Sequence, residues 1–217
     1  MIELLVLVVF AGFALRATYS TGGEASEVPE RIGLRLGRLW EIAHQGMREN
    51  KLLRAEKALL TILKIDEKNA AAYNRLGILY AKQKEFKDAI DCFEIASSIE
   101  MSASSLHNLG LVYYETGDYN KASIAFEEAL QLEDAMAARH IAYAKVQEKL
   151  GNDKKMINEL EHAAELEPNR ETYTLLLRAY EIKDLPEQAI ALRKKIERLG
   201  LPANKPKRVV RPPRVVV

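Results

Sequence analysis

The sequence predicts an all-α protein built from tandem helix-turn-helix hairpins. Three observations carry this. Two central stretches match each other at many fixed offsets. The same frame extends to either side of them. The last copy is more polar than the others, as the end of a stack should be.

The first central stretch is YNRLGILYAKQKEFKDAIDCFEIA, from Tyr73 to Ala96. The second is LHNLGLVYYETGDYNKASIAFEEAL, from Leu106 to Leu130. Each has Leu-Gly followed by a tyrosine three residues after the glycine, Tyr80 and Tyr113. Ala89, Phe93 and Ala96 then match Ala122, Phe126 and Ala129, a displacement of 33 residues. Gly77 and Gly110 are expected where the first helix of a hairpin meets the second at close range. A side chain there would hold the two backbones apart. Phe93 and Phe126 are expected to plug the gap to the neighbouring hairpin, and Gly117-Asp118 suits the turn between helices.

The frame continues outwards. A pair from about Leu36 to Glu67 places Ala55, Leu59 and Ile62 on its second helix. A pair from about Ala137 to Pro168 carries Ala144, Gly151, Leu160 and Ala163. A last pair from about Arg170 to Pro202 carries Tyr173, Leu176, Tyr180 and Ala189. About five hairpins result. In the last, Arg193 stands where Phe93 and Phe126 stand, beside Lys194, Lys195, Glu197 and Arg198. Asp184 and Glu187 form a capping-box-like pair with Pro186 in the first turn, and Gly200 and Pro202 end the helix.

These residues resemble the tetratricopeptide repeat family, over about residues 36–203. The resemblance implies a right-handed superhelical solenoid of antiparallel helix pairs, whose first helices line a concave groove. It also implies that a peptide or helix of a partner protein binds there, which is an analogy of family rather than of spacing. Carried onto this sequence, the groove positions are Asn74, Ile78, His107, Leu111, Tyr114, Ile141 and Lys145. Ile78, Leu111 and Tyr114 supply apolar groups. Asn74, His107 and Lys145 can bond a backbone or meet a carboxylate. The clamp by which one subfamily holds chaperone C-termini needs lysine and asparagine at set positions. Asn74, His107, Ile78 and Leu111 stand there instead, so that clamp is not expected.

Outside the array the chain changes character. Leu4 to Leu15 reads LLVLVVFAGFAL, twelve residues without charge. As a helix this spans roughly 18 Å, against roughly 30 Å of hydrocarbon. Extension to residues 1–19 makes a short membrane anchor feasible, with Glu3 and Arg16 near the interfaces. A cleaved signal segment and a helix packed on the protein are the alternatives. Arg16, Arg31, Arg35 and Arg38 follow the apolar run, so a single-pass anchor would leave the repeats cytoplasmic. Residues 20–35 form a linker and helix lead-in. Residues 204–217 form a basic Pro/Val-rich tail, for which an acidic partner or lipid headgroups are the candidate contacts. The tail has no aromatic residue for stacking, so specific nucleic-acid binding is not expected.

The single cysteine, Cys92, permits no internal disulfide. A formal net charge of +1 points to no polyanionic partner. Two Glu-x-x-His strings occur, Glu41 to His44 and Glu159 to His162. The repeat frame places them on different faces three hairpins apart, which argues against a di-iron site. No catalytic residue, cofactor or metal site is expected. The expected function is a membrane-anchored scaffold or assembly adaptor. A secreted or periplasmic binding module and a non-catalytic accessory subunit are the alternatives.

Overall fold

A computed structural model describes residues 31–198. They form α1 (31–48), α2 (Leu52–Ile65), α3 (Ala70–Gln83), α4 (Phe86–Ile99) and α5 (Ala103–Glu115). The order continues with α6 (Tyr119–Leu132), α7 (Ala137–Leu150), α8 (Asp153–Leu166), α9 (Arg170–Ile182) and α10 (Pro186–Arg198). No strand occurs among the described residues. Helix α1 runs through residues 31–35, the lead-in of the sequence reading. The N-terminal apolar segment, residues 20–30 of the linker, the Gly200–Pro202 stop and the basic tail lie outside the described residues. Among the described residues no helix is long and apolar enough to cross a membrane.

Successive helices pair through one turn geometry used five times. Asn50, Lys84, Gly117, Gly151 and Asp184 all have positive φ, between 54° and 82°. In each turn the next residue donates its N–H five residues back. The bonds are Lys51 to Gly46, Glu85 to Tyr80, Asp118 to Tyr113, Asn152 to Gln147 and Leu185 to Tyr180, at 2.8–2.9 Å. This is the left-handed helix stop that glycine fills most easily. Only two of the five positions are glycine, and the sequence reading assigned only Gly117 to a turn. Asp184 is therefore not a cap for α10, as its spacing to Glu187 suggested. It is the left-handed residue of the α9–α10 turn, and α10 opens on Pro186.

Side chains cap the first helices α3, α5 and α9, whereas α7 opens on Met136 without a side-chain cap. The Asn69 side chain accepts from the Ala72 N–H, and that of Ser102 from the Ser105 N–H. Asn169 and Thr172 form a reciprocal capping box at the head of α9.

The chain divides into two compact units, residues 1–101 and 102–217. In the first, Leu59 and Ile62 of α2 pack with Leu76 and Leu79 of α3, Ala43 of α1 and Cys92 of α4. Trp40 packs half-buried against this core and stacks on His44 at 5.8 Å between ring centres. In the second, Tyr173, Leu176 and Tyr180 of α9 meet Met156 and Leu160 of α8 and Ala189 and Leu192 of α10.

The glycines of the repeat have a different purpose from the one expected. A Cβ on Gly77 would lie 2.6 Å from Cε1 of Phe93, and one on Gly110 would lie 2.9 Å from Cε2 of Phe126. The close approach is between a helix backbone and an aromatic ring of the same hairpin, not between two backbones. Phe126 also reaches the next hairpin, with its ring centre 6.3 Å from that of Tyr143.

Neighbouring hairpins are tied by tyrosines on first helices. Tyr80 donates to Glu56 of α2 at 3.1 Å, and Tyr143 donates to Glu127 of α6 at 3.3 Å. Tyr180 donates to Glu161 of α8. Burial, then the Glu56 carboxylate, pushes the Tyr80 hydroxyl up to about 12, so it remains a donor at neutral pH.

Candidate functional site

The seven groove residues fall on three first helices. Asn74 and Ile78 are on α3 in the first unit, both half-buried. In the second unit His107, Leu111 and Tyr114 are on α5, and Ile141 and Lys145 are on α7. Leu111 is 40% exposed, a large share for leucine. Tyr114 is half-buried and leans on Tyr119 of its own hairpin, with ring centres 5.6 Å apart.

His107 turns towards the interior. Its ring meets that of Phe126 edge-on at 5.4 Å, and its Nδ1 is buried without a hydrogen-bond partner. Burial, and then the charge of Arg139, lower its pKa below the usual value.

Ile141 and Lys145 belong to a better-formed feature. A cavity of about 120 Å³ opens between α7, α8 and α9. Ile141, Ala144, Met156, Leu160, Leu175 and Ala179 make its apolar surface. Lys145, Glu148, Arg178, Ile182 and Lys183 complete the lining. Lys183 is engaged by Asp153 at 2.7 Å. Lys145 and Arg178 have no ion pair among the described residues. The site is thus an apolar hollow with two uncommitted cations and one carboxylate. Its α9 half was not among the predicted residues. The signal was present: Leu175, Arg178 and Ile182 recur at helical spacing beside the core stripe of Tyr173, Leu176 and Tyr180.

On the same helix α7 two buried polar residues fasten the α6–α7 connection. Arg139 is only 1% exposed; its Nη1 donates to the Glu133 carbonyl and its Nη2 to the Glu133 carboxylate at 3.1 Å. His140 packs at a core position, as expected. Its Nδ1 is 2.7 Å from Glu159 Oε2, and its Nε2 is 2.8 Å from the Asp134 carbonyl. Both partners only accept, so the ring satisfies both when it carries two protons. The Glu159 bond is the largest cause raising the His140 pKa above the usual value. Glu159 is thus the partner of His140, and His162 stacks on the same ring with centres 5.7 Å apart.

The two histidines give stability opposite pH signs. His140 has a folded pKa raised above 6.5, so its contribution is complete below 6.5 and fades as pH rises through the folded value. His107 has a lowered folded pKa, so its contribution is complete above 6.5 and fades as pH falls. We expect His140→Gln to abolish the loss of stability above pH 6.5 while leaving the acid-side loss in place. Urea unfolding at a series of pH values checks this. An unchanged alkaline slope would remove His140 from the account.

Residues 70–99 and 103–135 each match a tetratricopeptide repeat family model. The chain carries tetratricopeptide repeats. The two matches fall on α3–α4 and α5–α6, the hairpins whose glycines face phenylalanine rings. Several solved structures are similar in fold. A crystal structure of MamA protein shares 21% identity over 80% of this chain and 100% of its own, with a TM-score of 0.66. MamA from Desulfovibrio magneticus RS-1 shares 16% over 79% and 98%, with a TM-score of 0.68. YrrB, described as a TPR protein with an unusual peptide-binding site, shares 22% over 71% and 81%, with a TM-score of 0.60. No curated protein sequence matches the chain. The tetratricopeptide framework suits protein–protein interaction, and the α7–α9 hollow joins two predicted groove residues, Ile141 and Lys145, to Leu175 and Arg178 of α9.

Proposed function

We propose that this protein is a non-catalytic adaptor that holds a peptide or helix of a partner protein at a membrane. The observation that carries the reading is the α7–α9 hollow. An apolar floor edged by uncommitted Lys145 and Arg178 suits an apolar side chain flanked by a carboxylate. YrrB, a TPR protein with a peptide-binding site, supports the general mode. The partner face is then centred on α7 and α9, with Leu111 and Tyr114 of α5 as a further contact.

The tether in this reading is the apolar segment of residues 1–19. In this reading residues 20–29 join it to the repeats and keep them close to the bilayer. That confinement raises the effective concentration of any partner embedded in the same membrane.

A photo-crosslinking side chain placed at Ile141, in cells with intact membranes, tests the site. We expect partner adducts from residue 141 and none from residue 124, an exposed position on the second helix α6. Arg178→Glu should remove the adducts with helicity unchanged. Adducts from residue 111 alone would move the site to α5. Equal adducts from 141 and 124 would end the idea of a defined site.

A further inference from the structure

We propose that the α1–α2 face of the first unit docks on a bilayer surface bearing anionic lipid headgroups. The proposal rests on the tether reading only in that the tether brings this face to a bilayer.

The face is a trough of about 440 Å³ lined by Leu39 and Ile42 of α1 and Leu53, Arg54, Lys57, Ala58 and Thr61 of α2. No acidic residue lines it. Leu53 is 63% exposed in its wall. In the next hairpin Cys92 stands where Ala58 stands, and it is buried in the shared core. On α2, no described hairpin precedes the corresponding face.

The surroundings add positive charge. Arg35 and Arg38 lie seven and four residues before Ile42, so helical spacing puts all three on one stripe. Arg31 falls on the same stripe. Arg35, Arg38 and Lys57 have no ion pair among the described residues. Ile32 and Leu34, at the start of α1, are 43% and 61% exposed. Exposed aliphatic groups ringed by arginine and lysine match an interfacial surface. The stems lie along the acyl boundary and the cationic heads reach phosphate.

Two other occupants fit less well. The apolar run LLVLVVFAGFAL has no polar face, so lying in the trough would leave its other side in water. An acidic protein segment would satisfy the cations. It would not account for the exposure of Ile32 and Leu34, which lie at the start of α1 outside the trough's lining.

The test uses the full chain with Leu53→Cys carrying a polarity-sensitive fluorophore. Cys92→Ala removes the native thiol, and Ala125 at the corresponding place in the next hairpin shows that alanine is accepted there. Flotation with vesicles reports the tether, and fluorophore emission reports the face. We expect flotation on phosphatidylcholine vesicles with and without phosphatidylserine, and a blue shift only with phosphatidylserine. Arg35→Glu with Lys57→Glu should weaken the titrated shift at least about 25-fold and leave flotation intact. Flotation without any shift overturns the docking and leaves the tether. Equal shifts on both vesicles overturn the role of charge. Emission already blue without vesicles means the trough is filled by the chain's own N-terminus or a second copy. Flotation only with phosphatidylserine, lost on charge reversal, supports the docking and overturns the tether. Neither flotation nor shift overturns both.

Discussion

Gly77→Ala destabilises the first unit by about 1–3 kcal/mol, and adding Phe93→Leu recovers most of that loss. The new methyl would lie 2.6–2.8 Å from three atoms of the Phe93 ring. Those atoms belong to a ring that is 1% exposed, so it has no free space to move into. Phe93→Leu alone leaves a void and costs about 1–2 kcal/mol. Together the two changes reproduce pairings the chain already uses. Ala144 shares a core cluster with Leu160, and Ala43 shares one with Leu59. A favourable coupling of about 2–3 kcal/mol, larger than the cost of Phe93→Leu alone, is therefore expected in a double-mutant cycle read by urea unfolding. Strict additivity would mean that the ring is not what the methyl meets. The exchange also accounts for the last hairpin. There Leu177 takes the glycine position and Arg193 takes the phenylalanine position. Arg193 then turns outwards to Glu181.

The helical hairpins were legible because their core positions are written in residue type. Gly77, Phe93 and their counterparts recur at fixed offsets, and only small–large pairs fill that space. The five turns were legible in part. Gly117 and Gly151 announce a left-handed backbone, whereas Asn50, Lys84 and Asp184 adopt it under the demand of the helix crossing. The candidate site was half legible. Ile141 and Lys145 were on the predicted helix face, but the hollow also needs Leu175 and Arg178 of α9. Which first-helix gaps stay open depends on the volumes behind them, and a position-by-position reading does not sum volumes. Buried Arg139 was invisible, since an arginine in a helix is by default a solvated one.

Arg139→Ala should destabilise the second unit by about 2–4 kcal/mol, far more than Glu133→Gln. Arg139 occupies a position filled by Ala72, Ser105 and Thr172 in the other repeats, all buried. Thr172 shows what that position does. Its hydroxyl donates to the carbonyl of Glu167, the residue that ends α8, at 2.6 Å. Arg139 makes the same bond to the carbonyl of Glu133, which ends α6. Truncation therefore opens a cavity and leaves that carbonyl without its donor. The Glu133 side chain is 55% exposed, so its carboxylate returns to water at little cost, and Glu133→Gln should cost no more than about 1 kcal/mol. Arg139→Met keeps the volume and loses the bonds, so it should fall between the two. It also removes the charge that helps lower the His107 pKa, which should then rise in an NMR titration. If Glu133→Gln proves as costly as Arg139→Ala, the ion pair rather than the carbonyl bond holds the α6–α7 connection. The hollow lined by Ile141 and Lys145 would then rest on a salt-sensitive hinge.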